Sequence, residues 1–87
     1  MTPLEKCVQP LQFLIARGDI QGIGLAEKAI DEFMAGHNGP DRQAGALNDL
    51  TVRLVAETKN AAGQSVLFAE AVFDYIDKRL RALAENP

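Results

Sequence analysis

The chain has no Trp, and Cys, His and Tyr occur once each among its 87 residues. A single cysteine, Cys7, rules out a disulfide within the chain. With His37 as its one companion it leaves too few ligands for a structural zinc site. No apolar run approaches the roughly 20 residues needed to cross a bilayer, so no membrane partner is expected. Met1-Thr2-Pro3-Leu4-Glu5 lacks a basic stretch followed by an apolar core, so no secretory leader is visible and the cytoplasm is the expected compartment.

Concentrated positive charge is missing too. The net charge is −3, and the nine bases are spread evenly, three in each of residues 1–36, 37–60 and 61–87. Nucleic acid attracts a clustered basic surface, so it is not the expected partner, and a DNA-binding regulator is the third reading only. The segment around Gly36–Pro40 joins two helices, but its second helix opens Asp41-Arg42-Gln43, with one base where a DNA reader needs several.

Catalytic constellations are absent as well. Gly18, Gly22 and Gly24 follow no strand and precede no Gly-Lys-Ser/Thr, so they mark a loop and not a phosphate cradle. Asp31-Glu32 and Asp74, Asp77 come without a Glu-x-x-His, so no metal is expected. Cys7 falls on the Leu4–Leu11–Leu14 face and reads as a small buried hydrophobe. These absences predict a protein that is not an enzyme and uses no cofactor.

What remains is helix. The pattern predicts an all-α fold, a small bundle of about four helices with short loops, in one domain over residues 1–87. Thr2-Pro3-Leu4-Glu5 starts helix one, with Thr2 as cap and Glu5 returning a hydrogen bond, and Gly18 ends it after about Arg17. Pro10 predicts a kink or break inside it. Helix two begins at Ile20 or Ile23 and ends at Ala35, before the loop His37-Asn38-Gly39-Pro40. Helix three runs from Pro40 or Asp41 to about Lys59. A break is expected over Asn60–Gln64, with Ser65 as a candidate cap, and helix four covers about Val66–Ala84. Without that break, helices three and four would be one continuous rod.

Ala69, Phe73, Ile76, Leu80 and Leu83 recur at helical spacing on helix four. With Val66, Phe68, Val72 and Tyr75 they fill an arc of about 180°, wider than the stripe of somewhat over 100° that a surface helix needs. Arg79 projects into that arc between Phe68 and Val72. Either its stem covers apolar surface while the guanidinium reaches water, or it meets an acid or phosphate at an interface or pocket. The wide arc predicts two neighbours within the bundle, or one neighbour and another subunit; on the second reading Phe68, Val72, Tyr75 and Arg79 form an oligomer face and a dimer is the expected assembly.

On helix one, Phe13 points away from the core face, beside Lys6 and Arg17, unless Pro10 shifts the helical phase and returns it inward. On helix two, Ile20, Ile23, Ala26, Ile30, Phe33 and Met34 are the expected core, and Leu25 projects away from them beside Glu32. Leu67 falls among the charges of helix four. On helix three the expected stripe is Leu47, Leu50, Thr51, Leu54, Val55 and Thr58, with Val52 outside. Stray large apolar side chains in so small a chain predict a second surface that covers them. Phe13, Arg17, Leu25, Leu67 and Arg79 are therefore the candidate partner- or ligand-binding residues.

The favoured function is a helical protein that binds a protein partner and assembles with itself through its C-terminal helix. By analogy of size and fold class alone, adaptors, chaperones and phage- or mobile-element-encoded inhibitors are its expected company. The runner-up is a binder of a small anion or nucleotide, held by Arg17, Lys28, Arg42 or Arg79, with Phe13 or Tyr75 stacked on a ring.

Overall fold

The computed structural model describes residues 2–85. Met1, in the stretch searched for a leader, and the last two residues of the expected domain lie outside that span. Four α-helices follow one another: α1 (Pro3–Arg17), α2 (Ile23–Ala35), α3 (Pro40–Glu57) and α4 (Gln64–Glu85). A 3-10 turn, Ile20–Gly22, stands between α1 and α2, and the described residues contain no strand. No helix among them is long and apolar enough to cross a membrane.

Local chemistry sets the ends. The Glu5 amide donates to Thr2 Oγ1 at 3.2 Å, and Gly18 closes α1 in the left-handed conformation with its N–H on the Leu14 carbonyl. The Glu5 carboxylate, expected to return a bond to the cap, is instead taken by Arg53 of α3. At the other end of α2, the His37 ring N–H (Nδ1) caps the Phe33 carbonyl at 2.9 Å. The Gln43 amide donates to the Met34 and His37 carbonyls at 3.2 Å each. Carbonyls left open by the end of α2 are thus satisfied from the loop and from α3.

Pro10 neither breaks α1 nor ends it. Removing one backbone bond mid-helix costs about 3 kcal/mol in isolation. Val8 and Leu11 on either side are fully buried and Ile15 further on is buried, and burying such side chains contributes roughly 1.5–3 kcal/mol each. Core packing on both sides of the proline holds the helix through it.

The break between α3 and α4 is present. Thr58 follows α3, its hydroxyl donating to the Leu54 carbonyl at 2.8 Å, and Gly63 turns the chain at φ 61° into α4. Ser65 is not the cap. It lies inside the first turn of α4 and its hydroxyl donates across to the Ala16 carbonyl of α1 at 3.4 Å.

One cluster of buried apolar side chains joins the four helices. Val8, Leu11, Ile30, Leu47, Leu50, Leu54, Phe68 and Val72 are at or near zero exposure. The α1 helix packs on all three others, and α2 and α3 scarcely meet. Cys7 near Ala29, and Leu14 near Gly22, show that α1 and α2 run antiparallel.

Two residues leave the expected core. Ile20 is exposed, because the 3-10 turn winds three residues per turn and does not share the phase of α2. Val55 is exposed because the buried stripe of α3 narrows to Ala46, Leu47, Leu50 and Leu54, one helical edge short of it.

Arg53 clamps α1 to α3. It grips both oxygens of Glu5, and its Nε donates to Glu57 at 3.0 Å. The hydrogen bonds from Arg53 hold the Glu5 carboxyl below its ordinary value of 4.5. Because the folded value is lowered, the stabilisation is complete above the ordinary glutamate range. It is lost as pH falls through the folded value. Urea unfolding of Arg53→Met is therefore expected to lose less stability on acidification than the wild type. The difference is small, since both side chains are about one-third exposed. Equal acid sensitivity in the two proteins would show that the clamp contributes nothing.

Candidate functional site

The wide apolar arc of α4 is covered from within the chain. α4 packs against α1, α2 and α3, so it has three neighbours where two were expected. Phe68 and Val72 are buried in that core and offer nothing to a second subunit. The expected oligomer face is corrected on this point. Among the described residues, Leu67 is the one exposed large apolar side chain on α4.

Tyr75 and Arg79 also find partners inside the chain. The Tyr75 hydroxyl donates to Asp31 Oδ1 of α2 at 2.6 Å, and Arg79 Nε lies 3.7 Å from the same oxygen. Arg79 therefore does pair with an acid, and the acid is on the neighbouring helix. Its Nε atom is buried and has no hydrogen-bond acceptor among the described residues, so the pairing is purely Coulombic at that distance.

Burial, and then the bond to Asp31, push the Tyr75 hydroxyl up to about 12. As the only tyrosine in a chain without tryptophan, it gives an uncluttered signal in an ultraviolet titration. The expected midpoint lies well above the ordinary 10, and Asp31→Asn should move it back toward 10. A wild-type midpoint at 10 would dissolve the Tyr75–Asp31 contact. The sign for stability follows from the raised value. The contact's contribution is complete below pH 10 and is lost as pH rises toward 12.

Among the described residues, no group of three or more His, Cys, Asp or Glu side chains could hold a metal. Cys7 is buried with its Sγ 3.7 Å from the Ala29 carbonyl, and burial pushes the thiol up to about 11. It stays protonated and is a poor nucleophile at neutral pH.

One open surface lies between α1 and α2. Phe13 is 61% exposed and Leu25 64% exposed, and both line one groove with Arg17, Lys28, Leu14 and Glu32. Pro10 therefore does not return Phe13 to the core. The Arg17 guanidinium stands 5.7 Å from the centre of the Phe13 ring, a cation–π arrangement that orders both side chains. The groove is an open trough of about 530 Å³. A second hollow shares Pro10, Ala29 and Glu32 with it and is lined further by Lys6 and Gly36.

Three candidates, Phe13, Arg17 and Leu25, are thus brought together. Leu67 and Arg79 are not. Leu67 lies with exposed Ile20 around a separate hollow lined by Gly18 and Gln64, and Arg79 faces Asp31. Of the cations expected to meet a small anion, Arg17 and Lys28 share the groove, whereas Arg42 and Arg79 are elsewhere. Lys6, Pro10 and Glu32 belong to the site and were not among the candidates. A signal for them exists in the sequence. Lys6, Pro10, Phe13 and Arg17 follow spacings of four, three and four, and Leu25, Lys28 and Glu32 follow three and four. Each set is a second face on a helix whose first face is core. Comparison with protein-family models, curated proteins and solved structures finds no match.

Proposed function

We propose that the chain works by binding a protein partner through the α1–α2 groove, as an adaptor, chaperone or inhibitor does, without chemistry of its own. The observation that carries this reading is the pairing of Phe13 and Leu25 across one trough, both more than 60% exposed. Isolated apolar residues on a surface are ordinary, whereas neighbouring ones flanked by charge resemble the anchors and rim of an interface. A small anion is favoured less by the same geometry. Small ligands are held in concave sites that bury most of their surface, and this groove is open along its length.

The test places a photo-crosslinking phenylalanine derivative at position 13, at position 25, or at exposed Asn48 on α3, in cells of the source organism. Positions 13 and 25 are expected to capture the same protein, and position 48 to capture none of it. Equal capture from all three positions, or none from 13 and 25, would remove the proposal.

A further inference from the structure

We infer that the occupant of the groove is an acidic amphipathic helix of a different protein, an inference that rests on the binding reading above. The walls settle the shape of the occupant. Adding a strand needs a free sheet edge, and the described residues contain no strand. Proline-rich segments dock on several exposed aromatics, and Phe13 is the one aromatic among the exposed large apolar residues. Two antiparallel helices with a floor of Leu14 and Ala29 between them leave a trough of the kind that takes a third helix.

Charge decides the chemistry. Arg17 and Lys28 line the trough and Lys6 the hollow adjoining it, against one acid, Glu32, in a chain whose net charge is −3. Among the described residues none of the three has a carboxylate within ion-pair distance, whereas Arg53, Arg79 and Arg81 are each committed to an internal acid. A positive rim without internal carboxylate partners, on an acidic molecule, complements negative charge. A second copy of the chain is disfavoured by the same rim. A two-fold contact through this face would set the cations of one copy against those of the other.

The spacing gives a register. Lys6 and Arg17 are eleven residues apart on α1, which is about 16 Å of rise and close to three whole turns. A helix lying along the groove meets both with acids at i and i+11. Its apolar residues at i+4 and i+7 fall over Phe13 and Leu25, and the position facing Glu32 is neutral or basic.

The experiment is a display selection from a helix-forming peptide library, with the full chain as bait. Wild type is expected to enrich acid-flanked amphipathic helices and to bind them about tenfold more tightly than their lysine-flanked counterparts. Arg17→Glu with Lys28→Glu should invert the preference. Both sites are exposed, and circular dichroism checks that each variant folds. If the winners depend on Phe13 and Leu25 but show no charge preference, the acidic partner is wrong and the groove reading stands. Winners that ignore Phe13→Asp with Leu25→Asp, or no helical winners, would overturn both. A wild-type dimer that the Phe13→Asp variant dissolves would make a second copy the occupant and end the inference.

Discussion

Phe68→Ala is expected to lower the free energy of unfolding by about 3–5 kcal/mol, the usual cost of emptying a buried phenylalanine site. At roughly 0.05–0.15 kcal/mol per residue, a chain of this length has about 4–13 kcal/mol in all, so the variant sits near or below the edge of folding. The Phe68 ring is 1% exposed and lies where the first turns of α4 cross the start of α2. A cost of that size shifts a thermal midpoint by at least about 12 °C in a domain this small. Leu67→Ala, one position away, is expected to change stability by no more than about 0.5 kcal/mol, because Leu67 points into water. Paired urea melts followed by circular dichroism read both. Similar losses for the two variants would mean that α4 is rotated by about 100° from the orientation described.

That contrast marks how far the sequence could be read. Helical projection separates Phe68 from Leu67 correctly, because buried and exposed residues on one helix differ by angle alone. The ends of the helices were legible for a similar reason. Thr2, Gly18, Gly36 and Gly63 act on the backbone within a few residues of themselves. What the sequence could not show is which neighbour covers which face. The arc of α4 is wide because three helices pack on it, and Arg79 lies within it because Asp31 of α2 is there. Both facts depend on residues in other helices, Asp31 among them, forty-eight positions before Arg79. A single-helix projection has no term for them, so it leaves the surplus width open to a second neighbour in the bundle or to a second subunit.

The candidate site was legible in parts. Phe13, Arg17 and Leu25 could each be singled out as misfits on their own helices. Their convergence depends on the antiparallel packing of α1 on α2, which the 3-10 turn at Ile20–Gly22 directs. Lys6 and Glu32 stand beside Phe13 and Leu25 in the projection but are not candidates there, because a charge on an outer helical face is ordinary until another helix brings apolar neighbours beside it.

Gly18→Ala is the second large effect expected. Gly18 has φ 64°, and an L side chain in the left-handed region costs roughly 1–2 kcal/mol. Here a second cost is added. A Cβ at Gly18 would lie 3.0 Å from the backbone carbon of Gln64, from its Cβ and from the Ser65 nitrogen. Main chain at the start of a helix cannot rotate aside as a flexible side chain can, so α4 must shift and the Ser65–Ala16 hydrogen bond stretches. The expected total is about 2–4 kcal/mol, above the strain alone.

Gly63 is the control. Its φ is 61°, and nothing lies within 4 Å of the Cβ that a substitution would add. Gly63→Ala should therefore cost only the roughly 1–2 kcal/mol of left-handed strain. Asparagine separates the two causes, since it tolerates the left-handed region but still carries a Cβ. Gly63→Asn should recover most of the loss, and Gly18→Asn should recover little. If asparagine rescues both positions equally, the close approach of α1 to α4 is not the reason Gly18 is glycine.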